Sequence, residues 1–192
     1  MNQDKDKLLC EKYPKLFSER NLPMTQSCMY WGFEIGDGWF NIIDNLCANI
    51  QHHLDSAADY RKRTIEYNEM IEQAVAGKYE KLEEYWSDSS PELIEKVKES
   101  IPSSSLREVP EEVSQVVVSQ VKEKFGTLRF YYYGGDEYVA GLVAMAESMS
   151  GCTCEDCGSP AKTRGRGWVY TRCDKCQKAS GRYTDEEDDT DV

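Results

Sequence analysis

The sequence has only two histidines, His52 and His53, and it has no long apolar run. A membrane-spanning helix needs about 18 or more apolar residues in succession. The first ten residues carry charges where a secretion signal would need an apolar stretch. We therefore expect a chain that is neither inserted in a membrane nor exported. The histidines have no partner at a metal-binding offset, so we interpret them as residues of a helix surface.

Positive charge is also scarce, because 23 lysines and arginines face 35 acidic residues and leave a formal charge of −12. This balance excludes a general attraction to nucleic acid, which needs clustered cations, and limits any such contact to a local patch. The sequence lacks the local motifs of serine hydrolases, phosphate-binding loops and zinc proteases. Nothing in it requires an enzyme. A metal-dependent nuclease that assembles carboxylates from distant positions stays open as an alternative.

Eight cysteines are present, and in a chain without an export signal they more often bind metal than form disulfides. Four of them form two CxxC pairs separated by fifteen residues, a spacing typical of a tetrahedral all-cysteine zinc site. The predicted Zn²⁺ ligands are Cys154, Cys157, Cys173 and Cys176. Because four thiolates fill the coordination sphere, the site is predicted to be structural. Cys152 is a rival for the position of Cys154, and an iron–sulfur cluster is the alternative cofactor.

The segment around these cysteines has few large apolar residues, so metal binding is expected to supply much of its folding free energy. Residues 152–183 contain seven basic and three acidic residues, whereas residues 184–192 contain six acids and no base. We interpret 184–192 as a disordered acidic tail, with folding back onto the arginines as the alternative. The candidates for binding nucleic acid or a partner in this segment are Arg164, Arg166, Trp168 and Arg172.

The remaining sequence predicts a helical body with a small antiparallel sheet. Alternating apolar residues predict a strand over 29–35. Apolar residues at steps of three and four predict a helix after Asp37, its N-cap, which continues toward Gly77 with a break near the polar stretch 61–63. Shorter helices are predicted over 78–86 and from Pro91 to about Ile101, and residues 102–112 are predicted to be a linker.

Two β-prone runs, 113–122 and 127–133, flank a short break with Gly126 and predict a hairpin that joins the first strand in one sheet. A helix capped by Asp136 should follow. Three side chains share one face of the second hairpin strand: Arg129, Tyr131 and Tyr133. They could stack bases and bind a phosphate, but cross-strand packing is the favoured interpretation. The predicted fold class is therefore α+β, with a body over 1–150, a zinc ribbon over 151–183 and the tail.

Four parts of the sequence have a recognisable pattern when taken together: Tyr13-Pro14-Lys15-Leu16-Phe17, Trp31-Gly32-Phe33-Glu34 with Gly36-Asp37-Gly38-Trp39, residues 122–130, and the ribbon with Gly167-Trp168. With these stretches the chain resembles a group of uncharacterised bacteriophage and prophage proteins. In similar ribbons a glycine often follows the equivalent of Pro160 and the last ligands often read Cys-Asp-x-His, where this chain has Ala161 and Cys176. The resemblance implies an accessory phage protein acting in the host cytoplasm.

The leading functional hypothesis is a non-enzymatic protein that binds a host or phage protein through its acidic body or its ribbon, and so modulates replication, transcription or antiviral defence. The second is a nucleic-acid-binding ribbon, with the body serving recruitment or self-association through the long helix. A third is an acidic mimic of DNA that blocks a DNA-binding enzyme, which would need carboxylates spaced like phosphates on one surface.

Overall fold

The computed structural model describes residues 1–101, 106–165 and 167–181. The fold is mixed α/β, and its elements within these ranges are six α-helices, five strands and two 3₁₀ turns. The helices are α1 (Gln3–Lys12), α2 (Phe40–Val75), α3 (Glu80–Tyr85), α4 (Pro91–Ser100), α5 (Glu137–Ser150) and α6 (Asp174–Ala179). The strands are β1 (Phe33–Glu34), β2 (Val117–Lys124), β3 (Thr127–Tyr133), β4 (Lys162–Arg164) and β5 (Tyr170–Arg172).

The chain divides into two compact units, one formed by residues 1–54 with 113–192 and the other by residues 55–112. The predicted body over 1–150 and ribbon over 151–183 stay predictions, and the four cysteines near the C-terminus lie in the unit that also contains the N-terminal residues. The predicted tail 184–192 and part of the predicted linker, 102–105, lie outside the described residues. In the part of the chain that the structure describes, no helix combines the length and the apolar character needed to cross a membrane.

A three-stranded sheet in the first unit has the order β1–β2–β3. The predicted hairpin is confirmed, since β2 and β3 pair antiparallel. The prediction that the whole sheet is antiparallel is wrong, because β1 pairs with β2 in parallel, with Phe33 opposite Val121. More than 80 residues separate β1 from β2, so no tight turn fixes their relative direction.

The predicted strand over 29–35 is also wrong in its first half, where residues 28–31 form a 3₁₀ turn. The side chain of Ser27 caps this turn by accepting the N–H of Met29 at 3.2 Å. Gly32 ends it with a φ of +74°, a left-handed conformation that favours glycine and interrupts an extended chain. Only Phe33 and Glu34 remain in the sheet.

Helix α2 is continuous over 36 residues, so the break expected near residues 61–63 is absent. Its N-terminus also differs from the prediction: a 3₁₀ turn over 37–39 precedes it, Gly36 occupies the cap position of that turn, and no side chain caps it. Helix α1 was not predicted, because only Leu9 of its ten residues is buried and the sequence shows no apolar stripe. Helix α5 follows its predicted cap, with the carboxylate of Asp136 accepting the N–H of Val139 at 3.1 Å.

The core of the first unit collects apolar residues from α1, α2, α5 and the sheet around the fully buried Trp39. Helix α5 also covers the outer edge of β3. There the Ser150 hydroxyl accepts the N–H of Leu128 at 2.8 Å, and the Glu147 carboxylate accepts the N–H of Phe130 at 3.0 Å. These bonds satisfy backbone donors that an uncovered edge strand would expose. The second unit has its own small core of Met70, Ile71, Ala74, Leu82 and Ile101.

Candidate metal centre

The four predicted cysteine ligands come together in the structure. The sulfurs of Cys154, Cys157, Cys173 and Cys176 all lie within 4.8 Å of one another, close enough to hold a metal ion. The Sγ atoms of Cys157 and Cys173 are 3.6 Å apart. Sulfurs about 2.3 Å from a central zinc ion would be about 3.8 Å apart in a tetrahedron, so the spacing suits such an ion.

Each cysteine pair is positioned by a local turn. In the first, the N–H of Gly158 donates to the carbonyl of Cys154 at 2.8 Å, and Gly158 has a left-handed φ of +78°. In the second, Cys173 is the N-cap of α6, and its sulfur lies 3.5 Å from the N–H of Cys176. The short strands β4 and β5 pair antiparallel between the two turns. We call residues 152–181 the cysteine segment.

The thiols of the cluster do not ionise equally. The hydroxyl and N–H of Ser159 lower the pKa of Cys157 to about 6. Burial raises the pKa of Cys154 and of Cys176, and for Cys176 the neighbouring Cys157 raises it further. Four thiolates this close repel one another unless a cation lies between them. If all four thiols ionise, the cluster therefore needs a positive charge at its centre, and a divalent metal ion would supply it.

Cys152 does not belong to the cluster. Its exposed thiol lies 3.2 Å from the carbonyl of Met149, at the end of α5. Cys47 is buried in the core, where burial raises its pKa, and Cys10 and Cys28 also lie elsewhere. Within residues 1–101, 106–165 and 167–181, the four cysteines are the only group of three or more potential ligands close enough to share a metal ion.

The segment Gly36-Asp37-Gly38-Trp39 holds the first cysteine turn, a role that its sequence did not suggest. The N–H of Gly36 donates to the Glu155 carboxylate at 2.9 Å, and the N–H of Gly38 donates to the Glu155 carbonyl at 2.7 Å. The indole N–H of Trp39 donates to the carbonyl of Thr153 at 2.7 Å. Three of the four residues thus bind the chain on either side of Cys154.

Gly38 has a steric reason to be glycine. A Cβ atom at this position would lie 2.2 Å from the carbonyl oxygen of Cys154 and 2.4 Å from the nitrogen of Gly158. Both are backbone atoms that cannot rotate away. Asp37, between the glycines, accepts the backbone N–H of Asn2 at 2.7 Å and lies 3.5 Å from the ammonium of Lys5. These partners hold the pKa of Asp37 below its ordinary value, and its carboxylate fixes α1 instead of capping α2.

The tip of the β2–β3 hairpin forms a second contact with the cysteine segment. The hydroxyl of Thr171 in β5 donates to the carbonyl of Gly126 at 2.6 Å. A Cβ at Gly126 would come within 3.1 Å of Val169 and 3.2 Å of Thr163. The cysteine segment is therefore packed on the rest of the first unit at two places.

The two described basic residues of the predicted set, Arg164 and Arg172, have carboxylate partners. Arg172 pairs with Asp156, with 2.7 Å between Nε and the carboxylate, and Arg164 pairs with Asp174. Arg164 also donates to the carbonyl of Arg172 at 3.2 Å. Arg166 lies outside the described residues. The two described arginines thus hold the segment together and offer little free positive charge.

Trp168, unlike the two paired arginines, is largely exposed to solvent: 75% of its surface is accessible. It borders a small groove of about 200 Å³ together with Phe125, which is 69% exposed. Phe125 has a φ of +55°, a strained conformation for a bulky residue, and the ammonium of Lys124 lies 5.3 Å from the centre of its ring. We call Phe125 and Trp168 the aromatic pair.

The other predicted set, on the outward face of β3, is engaged within the protein. The guanidinium of Arg129 donates to Thr127 Oγ1 at 2.7 Å and lies 3.9 Å from Glu147. Lys122 on the neighbouring strand approaches the ring of Tyr131, and the hydroxyl of Tyr133 donates to Glu19. One of these contacts, Lys122 with Tyr131, joins neighbouring strands, and the others are to β3 itself, to α5 and to Glu19.

No protein-family model, curated protein or solved structure matches the chain. The site therefore has to be interpreted from its own geometry and chemistry.

Proposed function

We propose that the four cysteines bind Zn²⁺ as thiolates and that the cysteine segment is a zinc ribbon with a structural metal. Four soft thiolate ligands in a tetrahedral arrangement suit zinc, and they leave no position for a catalytic water. The ion would neutralise the crowded thiolates and connect the turn at Cys154 to the start of α6. In this role the metal stabilises a fold and performs no chemistry on a substrate.

The function that this arrangement supports best is non-enzymatic binding of a partner protein by the aromatic pair. The observation that carries the proposal is the exposure of Phe125 and Trp168 on two segments that the zinc ribbon and the hairpin hold together. Large exposed aromatic residues are typical anchors of protein interfaces. The strained φ of Phe125 is also a cost that proteins tend to bear at functional positions.

The resemblance to phage proteins extends this proposal to a host or phage partner met in the host cytoplasm, with an effect on replication, transcription or antiviral defence. Binding of nucleic acid by the ribbon is a weaker candidate, because Arg164 and Arg172 are already paired with carboxylates. A metal-dependent nuclease finds no support in the described residues, where the four cysteines are the only potential metal cluster.

The proposal is tested by purifying the tagged chain from infected host cells in four versions: wild type, Phe125→Ala, Trp168→Ala and Tyr138→Ala. Tyr138 is a matched control, since it is an aromatic residue exposed to 57% on α5. We expect a protein that co-purifies with the wild type and the control and is lost with either variant of the aromatic pair. Direct titration of the purified partner should show at least about tenfold weaker binding for Trp168→Ala.

Two results would contradict this function. One is a partner retained equally by all four versions. The other is a steep, salt-sensitive mobility shift with nucleic acid that Trp168→Ala leaves intact, which would favour the nucleic-acid alternative. Zinc analysis of the purified protein should give about one ion per chain, and loss of that ion from a Cys173→Ser variant would verify the ligand set.

A further inference from the structure

The second unit has a cleft that the metal centre does not explain. It has a volume of about 630 Å³ and is formed by α2, α3 and the segment after residue 105. Small-molecule sites commonly range from about 300 to 1,000 Å³. The residues that give the cleft its chemistry are three tyrosines and three cations: Tyr60, Tyr67, Tyr85, Arg63, Lys81 and Arg107.

Arg107 is held in place at this cleft. The side-chain amide of Asn68 binds both backbone groups of Arg107: its nitrogen donates to the Arg107 carbonyl at 2.8 Å, and its oxygen accepts the Arg107 N–H at 2.8 Å. The guanidinium lies 3.6 Å from the centre of the Tyr67 ring. Among the described residues no carboxylate pairs with this guanidinium, so its N–H donors are available to a ligand. Such a stacked guanidinium is suited to bind an anion with two donors.

Two exposed tyrosines stand at the same cleft. Tyr60 is 61% exposed and Tyr85 is 65% exposed, so both rings can accept a planar group. Thr64 and Met70, which also line the cleft, are almost fully buried and give it a closed floor. The cleft therefore combines flat aromatic surfaces with a positioned cation.

The charge of the surroundings limits the size of the anion. Residues 55–112 have eight basic and fifteen acidic residues, a formal charge of −7. Of the three cations at the cleft, Arg63 lies 3.9 Å from Asp59 and Lys81 lies 3.1 Å from Glu69, so Arg107 is the cation whose charge no described carboxylate offsets. A long polyanion would be repelled by the acidic unit, whereas one small anion would contact Arg107 alone. A single strand of nucleic acid is thus a poor ligand and a single nucleotide a good one.

We propose that this cleft binds a small ligand of the mononucleotide class, with the phosphate on Arg107 and the base on the ring of Tyr60 or Tyr85. Lys81 and Arg63 are already paired with Glu69 and Asp59, so Arg107 is the residue assigned to the phosphate. The site is independent of the aromatic pair and of the metal, so its test does not depend on the proposed function.

The experiment is an NMR titration of the full zinc-loaded chain with AMP, GMP, CMP and UMP, and separately with inorganic phosphate and with the corresponding nucleosides. We expect at least one mononucleotide to shift the signals of Tyr60, Tyr67, Tyr85 and Arg107 with a Kd below about 1 mM. Phosphate alone and nucleoside alone should each bind at least about tenfold more weakly, because phosphate cannot stack on a tyrosine and a nucleoside has no phosphate for Arg107.

Substitutions in the cleft and one control outside it decide the assignment. Arg107→Ala should weaken mononucleotide binding at least about tenfold, and Arg107→Lys should recover little of it because lysine cannot offer the two-donor fork. Tyr60→Ala and Tyr85→Ala each remove an exposed ring, and at least one of them should weaken binding about fivefold or more, whereas full affinity in both would overturn the proposal. Lys96→Ala removes an exposed positive charge from the same unit outside the cleft and should leave Kd unchanged.

The proposal is overturned if no mononucleotide shifts these signals up to about 10 mM. It is equally overturned if Lys96→Ala weakens binding as much as Arg107→Ala, which would show an unspecific charge effect. Equal affinity for phosphate and mononucleotides would also overturn it, since the tyrosines would then contribute nothing.

Discussion

Arg164 and Arg172 of the cysteine segment and Arg107 of the second unit's cleft have opposite surroundings. Arg164 and Arg172 form ion pairs with the carboxylates of Asp174 and Asp156. The guanidinium of Arg107 lies over the ring of Tyr67, and the side chain of Asn68 binds the Arg107 backbone. From the sequence, Arg164 and Arg172 were candidates for binding nucleic acid or a partner because basic residues are dense around them. In the structure, the one of these three guanidinium groups without a described carboxylate partner is that of the isolated Arg107.

The difference teaches that the local density of basic residues is a weak guide to an anion site. Asp156 and Asp174 are as close in sequence to the cysteines as the arginines are, so a charge count of the segment includes its own internal pairs. An arginine contributes to binding when its position is fixed and its donors are free. The predictions that follow test this contrast, beginning with the largest expected effect.

Removing the metal should separate the two regions most strongly. Zinc binding supplies about 10–16 kcal/mol of apparent free energy in isolated zinc-finger peptides, and the cysteine segment has few apolar residues of its own. Treatment with a strong chelator is expected to abolish the hydrogen-exchange protection of amides in 152–181, whereas amides in α2 beyond residue 55 and in α4 keep theirs. Hydrogen exchange monitored by mass spectrometry measures both regions in one sample. Retention of protection in 152–181 after complete removal of zinc would contradict a structural role.

Gly38→Ala should disturb the cysteine segment without touching a ligand. Its Cβ would overlap the backbone at Cys154 and Gly158, so we expect the free energy of unfolding to fall by about 2–4 kcal/mol and zinc to be lost at lower chelator concentration. Gly141→Ala is the control, because it lies in α5 with open space around it and should stabilise the helix by about 0.5–1 kcal/mol. Denaturant unfolding and a chelator titration check both. Equal behaviour of the two variants would refute the proposed close contact.

A paired arginine and an available arginine should differ in their effect on stability. Arg172→Gln leaves Asp156 without its partner, and we expect a loss of about 1–2 kcal/mol after allowance for partial exposure. Arg107→Gln removes only the contact with Tyr67 and should cost about 0.5 kcal/mol. Urea unfolding of both variants measures the difference. A larger cost at Arg107 would mean that its role is structural.

Asp44, in the first unit outside the cysteine segment, is a second charged residue with partners whose contribution to stability can be measured. Burial raises the pKa of Asp44, but hydrogen bonds from Lys12 at 2.7 Å and Tyr13 at 2.8 Å outweigh it and leave the pKa below its ordinary value of 3.8. The contribution of these bonds to stability is therefore fully present above the unfolded pKa and is lost as the pH falls through the lower folded pKa.

Asp44→Asn should consequently destabilise the protein by about 0.5–1 kcal/mol at neutral pH, and the difference from wild type should vanish as the pH falls below about 4. Asp59→Asn is the control, since Asp59 is exposed and 3.9 Å from Arg63, and it should change stability by less than about 0.3 kcal/mol. Chemical unfolding between about pH 3 and pH 7 makes the test. A difference at Asp44 that persists at the lowest pH would contradict the assigned cause.

The features predicted correctly are those that depend on the spacing of residues close together in the sequence. The two CxxC turns, the hairpin around Gly126 and the capped helix after Asp136 each depend on residues within a few positions of one another. Helix α2 also follows from its repeat of apolar residues, although the polar residues at 61–63 suggested a break. A polar stretch does not end a helix when no glycine or proline interrupts its backbone hydrogen bonds.

The features that could not be predicted depend on partners far apart in the chain. The bonds from Gly36 and Gly38 to Glu155 span more than 100 residues, and glycine next to aspartate has an adequate local explanation as a helix cap. A local sequence pattern also cannot predict that β1 pairs in parallel with β2, or that the side chain of Asn68 makes two hydrogen bonds with the backbone of Arg107. The one local feature that could have indicated the contacts with Glu155 is the presence of two glycines, Gly36 and Gly38, directly before Trp39.

Because the turn at Cys154 packs on residues 36–39, the affinity for the proposed ion would depend on the whole first unit. Glu155 and Gly36 are 119 residues apart, so residues 36–39 are synthesised long before the four cysteines. Binding equilibria that share an interface are linked, so a change that loosens the core around Trp39 should also promote release of the proposed ion. The rate at which a chelator withdraws zinc would then report how well distant parts of the chain are folded.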